Sequence, residues 1–575
     1  MGEADRTARK ALIAELQAIV GAAHIVTDPG AMQRFTSGFR FGGGPALAVV
    51  QPASLVEQWR ILQRCVAHRV VVIMQAANTG LTGGSTPDGD DYDRDVILIS
   101  TLRMDRIHVI EEGRQVICLP GATLFQLERS LAPFGREPHS VIGSSCFGAS
   151  VIGGICNNSG GSLVRRGPAF TQLALFARVR EDGEIELVNH LGVHLGTDPE
   201  AMLKRLEEAA FSTEDVEAAG DRLAADTDYA THVRDVDADT PARFNADPRR
   251  LFEASGSAGK IMLFAVRLDT FPRDAGGRVF YIGTNDPDEL TAIRRHVLSR
   301  FAELPIAGEY LHREAFDIAA RYGKDMFLAI RHLGTDRLPA LFALKAKLDR
   351  WAKRSRLFGP DPTDRMMQMA SRLVPDHLPP RMRACRDRFE HHLLLKVGPH
   401  GLDEARDYLS QTFPSAQGDM FECTDAEGDK AFLHRFVTAG AAVRYRSVHA
   451  RAVEDIVAVD VALRRNDDDW LERLPEALQG KIVHKLYYGH FLCHVLHQDY
   501  VVKRGHDPRQ FEHDICAGLD ARGARYPAEH NVGHLYPAEP ALLDHYRQLD
   551  PVNMFNPGIG KTSKRAHWAA GSRGA

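Results

Sequence analysis

A chain of 575 residues is too long for one ordinary hydrophobic core, so two or three domains are expected. Its 44% hydrophobic and 26% charged residues are typical of soluble globular proteins, and no stretch reaches the roughly 18 uncharged apolar residues of a membrane-spanning helix. A formal net charge of −5 argues against general nucleic-acid binding.

The chain opens on MGEADRTARKALIAELQAIV, which reads as an amphipathic helix of mixed charge, not a cationic leader followed by a long apolar run. Eight cysteines are scattered without CxxC pairs, which argues against a zinc ribbon or disulfide scaffold and fits a reducing, cytoplasmic setting. Strand-like runs follow at ALAVV (46–50), RVVVIM (69–74), DVILIS (95–100) and RQVICL (114–119). Between the first two lies a helix, 54–68, with Ser54 as its N-cap and Val56, Trp59, Leu62 and Val66 spaced for a buried face. The first ~270 residues therefore read as α+β. From about residue 290 helical periodicity dominates, in DELTAIRRHVLSRFAEL and TDRLPALFALKAKLDRWAKRS. Residues 321–400 carry 17 Lys and Arg against 8 Asp and Glu, and apolar side chains are interleaved among the cations. That pattern suits contact with an anionic lipid surface. Aromatic and β-branched runs return in HKLYYGHFLCHVLHQDYVV, so the second half is expected to hold a mixed sheet, and the last residues, HWAAGSRGA, read as a loose tail.

Three small-residue segments punctuate the first half: QAANTGLTGG (75–84), GSSCFGASVIGGICNNSGG (143–161) and ASGSAGKIMLFAV (254–266). Glycines there permit close backbone approach and anion-binding arrangements of N–H groups, so one extended ligand with a diphosphate is expected. The GxGxxG fingerprint is absent from these loops, which excludes a nicotinamide-binding Rossmann domain and NAD. In GIGKTSK the first glycine of a nucleotide-hydrolysing P-loop would fall at Phe555, which excludes that motif too.

The order AANTGLTGGS, SVIGGICNNSGG, SGSAGKIMLFAV and DPVNMFNPGIG resembles the FAD-binding fold of the vanillyl-alcohol oxidase and p-cresol methylhydroxylase type. Blocks such as DYDRDVILISTLRMD, GREPHSVIGSSC, DTPARFNADPRRLFE, HKLYYGHF and RYPAEHNVGHLY are similar to the membrane-associated, quinone-dependent D-lactate dehydrogenases, through nearly the whole chain. The resemblance implies an FAD domain over 1–268, completed by about 520–575, and an α+β cap over 269–519, with a basic membrane-contact segment at about 311–390. It further implies that FAD is held by Ala76, Ala77, Asn78, Thr79, Gly80, Gly84, Ser85, Gly143, Ser150, Gly160 and Met262. No motif compels a covalent flavin link, so noncovalent FAD is expected.

Oxidising a 2-hydroxy acid requires hydride departure from the α-carbon to flavin N5, a base for the hydroxyl proton and a cation for the carboxylate. Metal-dependent relatives in the flavin superfamily carry two histidines spaced by seven and a later Glu-His-Gly. By that resemblance His490, His497 and Glu529 would bind a divalent metal and His530 would be the base. Asn531 replaces the glycine, and the first motif lacks its Gly-Asp-Gly-Asn interior. On extended strands an odd spacing would point His490 and His497 to opposite faces, so a bend or bulge is required. Arg435 aligns with the substrate-binding arginine of relatives, with Arg444 and Arg446 as rivals.

The resulting expectation is an enzyme peripheral to the cytoplasmic side of a membrane, passing electrons from D-lactate through FAD to ubiquinone or menaquinone. An FAD dehydrogenase of 2-hydroxyglutarate or glycolate is the nearest alternative. A nonenzymatic lipid-binding protein on a flavin fold is the alternative of a different class.

Overall fold

The computed structural model describes residues 3–139, 148–218, 220–274, 276–334 and 362–570. The opening helix, Glu3–Val20, buries Leu12, Leu16 and Val20 at helical spacing. Four short apolar strands follow, in the order Ile25–Val26, Ala48–Val50, Val96–Ser100 and Val71–Gln75 across a sheet whose last three are parallel. Helix Leu55–Ala67 makes the crossover from Ala48–Val50 to the parallel strand Val71–Gln75, on the other side of Val96–Ser100. Ser54 Oγ accepts from the Glu57 N–H at 3.1 Å, a cap contributing about 1 kcal/mol. The buried stripe is Leu55, Gln58, Trp59, Leu62 and Cys65, with Val56 and Val66 at its margin, so the expected face is rotated by about one residue. A second sheet causes the rotation: Gln58 Nε2 donates to Leu263 O at 2.8 Å and Trp59 packs against Phe264.

That second sheet is antiparallel and five-stranded, in the order Ile107–Ile110, Gln115–Cys118, Met262–Asp269, Ala174–Val179 and Ile185–Asn189. Its apolar face and the first sheet share one core containing Val72, Ile97, Ile117, Leu175 and Met262. The end of the chain returns to this core. Val72 N–H donates to Met554 O at 3.0 Å, Asn556 N–H donates to Val72 O at 2.9 Å, and Asn556 Nδ2 reaches Gly84 O at 2.8 Å. Residues 567 and 568, expected to be loose, are docked. Trp568 Nε1 donates to Asp550 O at 2.8 Å, and the Trp568 ring lies 4.4 Å from Lys260 Nζ, a fully buried amine that also donates to Asn553 Oδ1.

The second half is built on a seven-stranded antiparallel sheet in the order Gly418–Glu422, Arg278–Thr284, His391–Val397, Ala307–His312, Ile482–His490, Val495–Lys503 and Val453–Ala462. Separate apolar clusters cover its two faces. The expected helix over 288–304 is present as Pro287–Arg300, whereas the one over 335–355 lies outside the described residues, as does Gly143. Among the described residues no helix is long and apolar enough to cross a membrane. The basic segment is less free than its composition implies: in helix Pro380–Arg388, Arg381 pairs with Glu427, Arg383 with Asp376, Arg386 with Asp317 and Arg388 with Asp419.

Candidate active site

Strand register gathers the titratable groups on one face of the seven-stranded sheet. Glu309 stands opposite His490, Tyr488 opposite His497, and His497 opposite Asp460. Residues two apart on a strand share a face, so His490 and Tyr488 carry this row across the hairpin. The hairpin removes the parity problem of the seven-residue spacing. Phe491–Cys493 forms a single 3-10 turn and His494 adopts a left-handed φ of 53°, so His490 and His497 converge from adjoining strands. The Glu529–His530 loop docks at the edge of the same face, where the Glu529 N–H donates to Asp460 Oδ2 at 2.7 Å.

Among the described residues, His490, His497 and Glu529 form the one cluster with metal-binding geometry, its three ligand atoms within 4.8 Å of one another. Each histidine has a carboxylate behind it. Glu309 Oε1 lies 2.6 Å from His490 Nδ1, and Asp460 Oδ1 lies 3.0 Å from His497 Nδ1. Such outer carboxylates fix ring orientation and raise the basicity of the remaining nitrogen, so the donor set fits a divalent cation. Burial opposes charge on His490, but Glu309 and Glu529 outweigh it and push the imidazolium up to about 10. A cation here would displace that proton. Glu529 is also clamped by Arg243, Nη2 to Oε1 2.6 Å, and is held well below the usual carboxylate range, against the effect of its burial, by Arg243 and His490.

His530 faces the cavity with 34% of its side chain exposed, and its Nδ1 lies 2.9 Å from Asp460 Oδ2. Burial would lower its pKa, yet the Asp460 charge raises it above the ordinary histidine value. Asp460 is itself held well below the carboxylate range, although burial alone would raise it, because His530 and His497 both lean on it. Arg435, on helix Asp425–Phe436, pairs with Glu309 Oε2 at 2.9 Å and lies 4.7 Å over the Tyr488 ring. Its Nε is buried without a hydrogen-bond partner among the described residues, and the side chain lines the cavity. The rivals are occupied elsewhere: Arg444 is clamped between Asp325 and Asp364, each at 2.8 Å, and Arg446 makes a half-exposed pair with Asp455.

His490, His497, Glu529, His530, Asp460, Glu309 and Arg435 line a cavity of about 1930 Å³ that also runs along the glycine-rich loops. The first loop is held by Gln75, whose Nε2 donates to Phe35 O and Ser85 O, and by Ser85 Oγ donating to Asn78 Oδ1 at 3.1 Å. Gly83 needs to be glycine, with φ +74° and a Cβ position only 2.8 Å from Phe41 O. Ala76, Ala77, Asn78, Thr79, Gly80, Gly84 and Ser85 all line the cavity, as does Ser150, which caps helix Val151–Cys156 by accepting from the Gly153 N–H. A Cβ on Gly80 would meet nothing within 4 Å, so this turn presents bare backbone to open space. An elongated volume walled by small residues on several loops fits a flavin dinucleotide. Two expected contacts sit differently. The Met262 side chain turns into the core while Ile261 and Leu263 face the cavity, and Gly160 packs beneath Glu529, where a Cβ would stand 2.3 Å from Oε1. Asn531, the departure from Glu-His-Gly, donates from Nδ2 to Asn157 Oδ1 at 2.6 Å and accepts at its backbone O from Thr82 Oγ1 at 2.7 Å. It ties the His530 loop to both glycine-rich loops.

Glu309, Asp460 and Arg243 are the partners that spacing alone does not reveal. Asp460 and Glu309 do leave a trace, each a carboxylate inside an otherwise apolar or aromatic strand run, VAVDVA and AGEYLH.

The chain shares the fold of p-cresol methylhydroxylase, a structure matched with a TM-score of 0.58 at 10% identity over 97% of each chain. An alkyldihydroxyacetonephosphate synthase shares the fold with a TM-score of 0.56 at 12% identity, over 95% of this chain and 84% of that one. Residues 46–189 match the family model for an FAD binding domain, and residues 279–568 match that for D-lactate dehydrogenase, membrane binding. The quinone-dependent D-lactate dehydrogenase of Escherichia coli (strain K12) is 57% identical over 99% of both chains, and that of Haemophilus influenzae is 56% identical over 97% of this chain and 99% of the relative. The chain belongs to the quinone-dependent D-lactate dehydrogenase family.

Proposed function

We propose that the protein oxidises D-lactate to pyruvate and delivers the electrons to a membrane quinone, ubiquinone or menaquinone. The observation that carries the reading is His530, a cavity-facing base held by Asp460 beside the His490, His497 and Glu529 cluster, in the cavity that the glycine-rich loops also line. Noncovalently bound FAD would be held by the loops Ala76–Gly80 and Gly84–Ser85 and by Ser150, and would supply the hydride acceptor. His530 takes the hydroxyl proton, and the Arg435 guanidinium receives the carboxylate. His490, His497 and Glu529 would hold a divalent cation whose role is to grip the substrate oxygens. Chelation is then expected to abolish turnover while the flavin spectrum is retained; full activity after exhaustive chelation would remove the metal from the reading.

Membrane attachment is proposed to be peripheral and on the cytoplasmic side. Six of the ten exposed large hydrophobics among the described residues lie between 333 and 374, led by Leu373 at 88%, Met366 at 68% and Met369 at 67%. Residues 335–361 add seven Lys and Arg against three Asp by sequence. Because the arginines of Pro380–Arg388 are already paired, the useful cations are the earlier ones. Replacing Arg350, Lys353, Arg354 and Arg356 with glutamine is expected to release the protein from anionic vesicles and leave dye-coupled activity intact. Undiminished vesicle binding would refute the anchor.

The primary test is the anaerobic visible spectrum before and after D-lactate, then L-lactate. Bleaching by the D-isomer alone supports the substrate and its handedness. A flavin untouched by either directs the search to 2-hydroxyglutarate and glycolate, and one that no hydroxy acid bleaches favours a nonenzymatic role.

A further inference from the structure

The cavity does not end at the histidine cluster. Beyond Arg435 its wall continues through Phe432 and Phe436 to an apolar lobe formed by helices Lys324–Leu333, Pro362–Ser371 and Thr438–Val448, whose cavity-lining residues include Met326, Ala329, Ile330, Met367 and Val443. Nothing in the oxidation of a small hydrophilic acid requires such a lobe. Two of its walls, Met366 and Leu333, are also exposed to solvent at 68% and 40%, so the lobe reaches the surface among the exposed apolar residues Leu333, Met366 and Met367.

We infer that this lobe is the binding site for the acceptor quinone, entered from the lipid side; the inference rests on the functional reading above. Three observations select that ligand. The walls are methionine and aliphatic side chains, which adapt to a flat, apolar ring and its isoprenoid tail. Among the described residues that line the lobe, the guanidinium of Arg444 is neutralised by two carboxylates, Asp325 on one side and Asp364 on the other, so this wall is polar without a net positive charge. Such a wall accepts a neutral carbonyl ligand, and its described residues offer an anionic one such as lactate no unpaired cation. Finally, the lobe is continuous with the cavity that holds His530 and the glycine-rich loops, so donor and acceptor share one continuous volume. The electron count closes: D-lactate gives up two electrons and two protons on becoming pyruvate, two electrons and one proton as the hydride that FAD would accept and the other proton to His530, and the quinone would leave as quinol with two of each.

The experiment uses the FAD-loaded protein without vesicles and a short-tailed, water-soluble quinone, which separates the lobe from membrane docking. Ala329→Phe fills the lobe from one helix and Val443→Trp, at a partly exposed position, from another. Each is expected to lower kcat/KM for the quinone roughly tenfold or more, as overpacking a confined site does, while the rate of flavin bleaching by D-lactate stays as in the parent. A photoreactive azidoquinone is expected to label peptides covering 324–333 or 362–371, with labelling competed away by the unlabelled quinone. Quinone kinetics unchanged in both variants, or competed labelling elsewhere, would overturn the assignment. So would protection by phospholipid but not by quinone, which marks the lobe as an acyl-chain site. If D-lactate fails to bleach the parent flavin, the substrate reading falls, and photolabelling still decides the quinone site.

Discussion

Replacing His530 with asparagine is expected to lower kcat and kcat/KM together by about 10²–10⁴, the usual contribution of a positioned general base. Asparagine preserves a hydrogen-bonding side chain near Asp460 Oδ2 but cannot accept the hydroxyl proton. The flavin should remain bound, because the loop is tied to the cradle by Asn531 through Asn157 and Thr82 and not by the imidazole. The sign of the pH effect follows from the Asp460 charge. That charge raises the His530 pKa, so the neutral, competent base predominates only above a value higher than the ordinary histidine pKa. The acidic limb of kcat/KM in the parent should therefore lie above pH ~6.5. Stopped-flow bleaching of the variant at the parent rate would remove His530 from the mechanism.

Asp460→Asn is the second large effect, expected at about 10–100-fold in turnover and in the retention of a bound divalent cation, typical for an outer carboxylate behind a ligating or catalytic histidine. One residue serves two rings: Oδ1 faces His497 Nδ1 and Oδ2 faces His530 Nδ1. Oδ2 also accepts the Glu529 N–H. Asparagine keeps the volume and removes the charge, so the acidic limb should move to lower pH as His530 loses the anion that raises it. A smaller kcat with an unmoved limb would reduce Asp460 to a structural role. The shift in pH profile, not the loss of rate, separates positioning from packing.

Much of the small-residue loop that lines the cavity could be read from the chain because its geometry is local. Gln75 to Ser85 form one turn, and consecutive small residues state their purpose without reference to the rest of the molecule. Glu529 and His530 adjoin, and their motif survives even with Asn531 in place of glycine. The orienting carboxylates could not be read in the same way. Asp460 meets His497 only through the register of two strands, and Glu309 meets His490 across another pair, which no periodicity in one segment encodes. The convergence of His490 and His497 was posed as a parity problem and solved by a hairpin, an arrangement that depends on the 3-10 turn at Phe491–Cys493. Electrostatics were legible only in bulk. The positive balance of 321–400 stands, but the pairing of Arg381, Arg383, Arg386 and Arg388 with acids from other elements subtracts from it. Trp568, expected in a free tail, caps a buried lysine that is distant in sequence.

The return of the C-terminus to the first sheet sets an order of events during synthesis. Asn556, which bonds the cradle at Gly84 O, follows that glycine by 472 residues. At a translation rate of about 5–20 residues per second, the glycine loop leaves the ribosome roughly 25–95 s before the segment that completes it. Through that interval the strand Val71–Gln75 lacks its bonds to Met554 and Asn556, and Lys260 lacks its Trp568 cover. Flavin capture in its finished form is thus one of the last steps in making the molecule, and an incomplete chain cannot close the cradle around its cofactor.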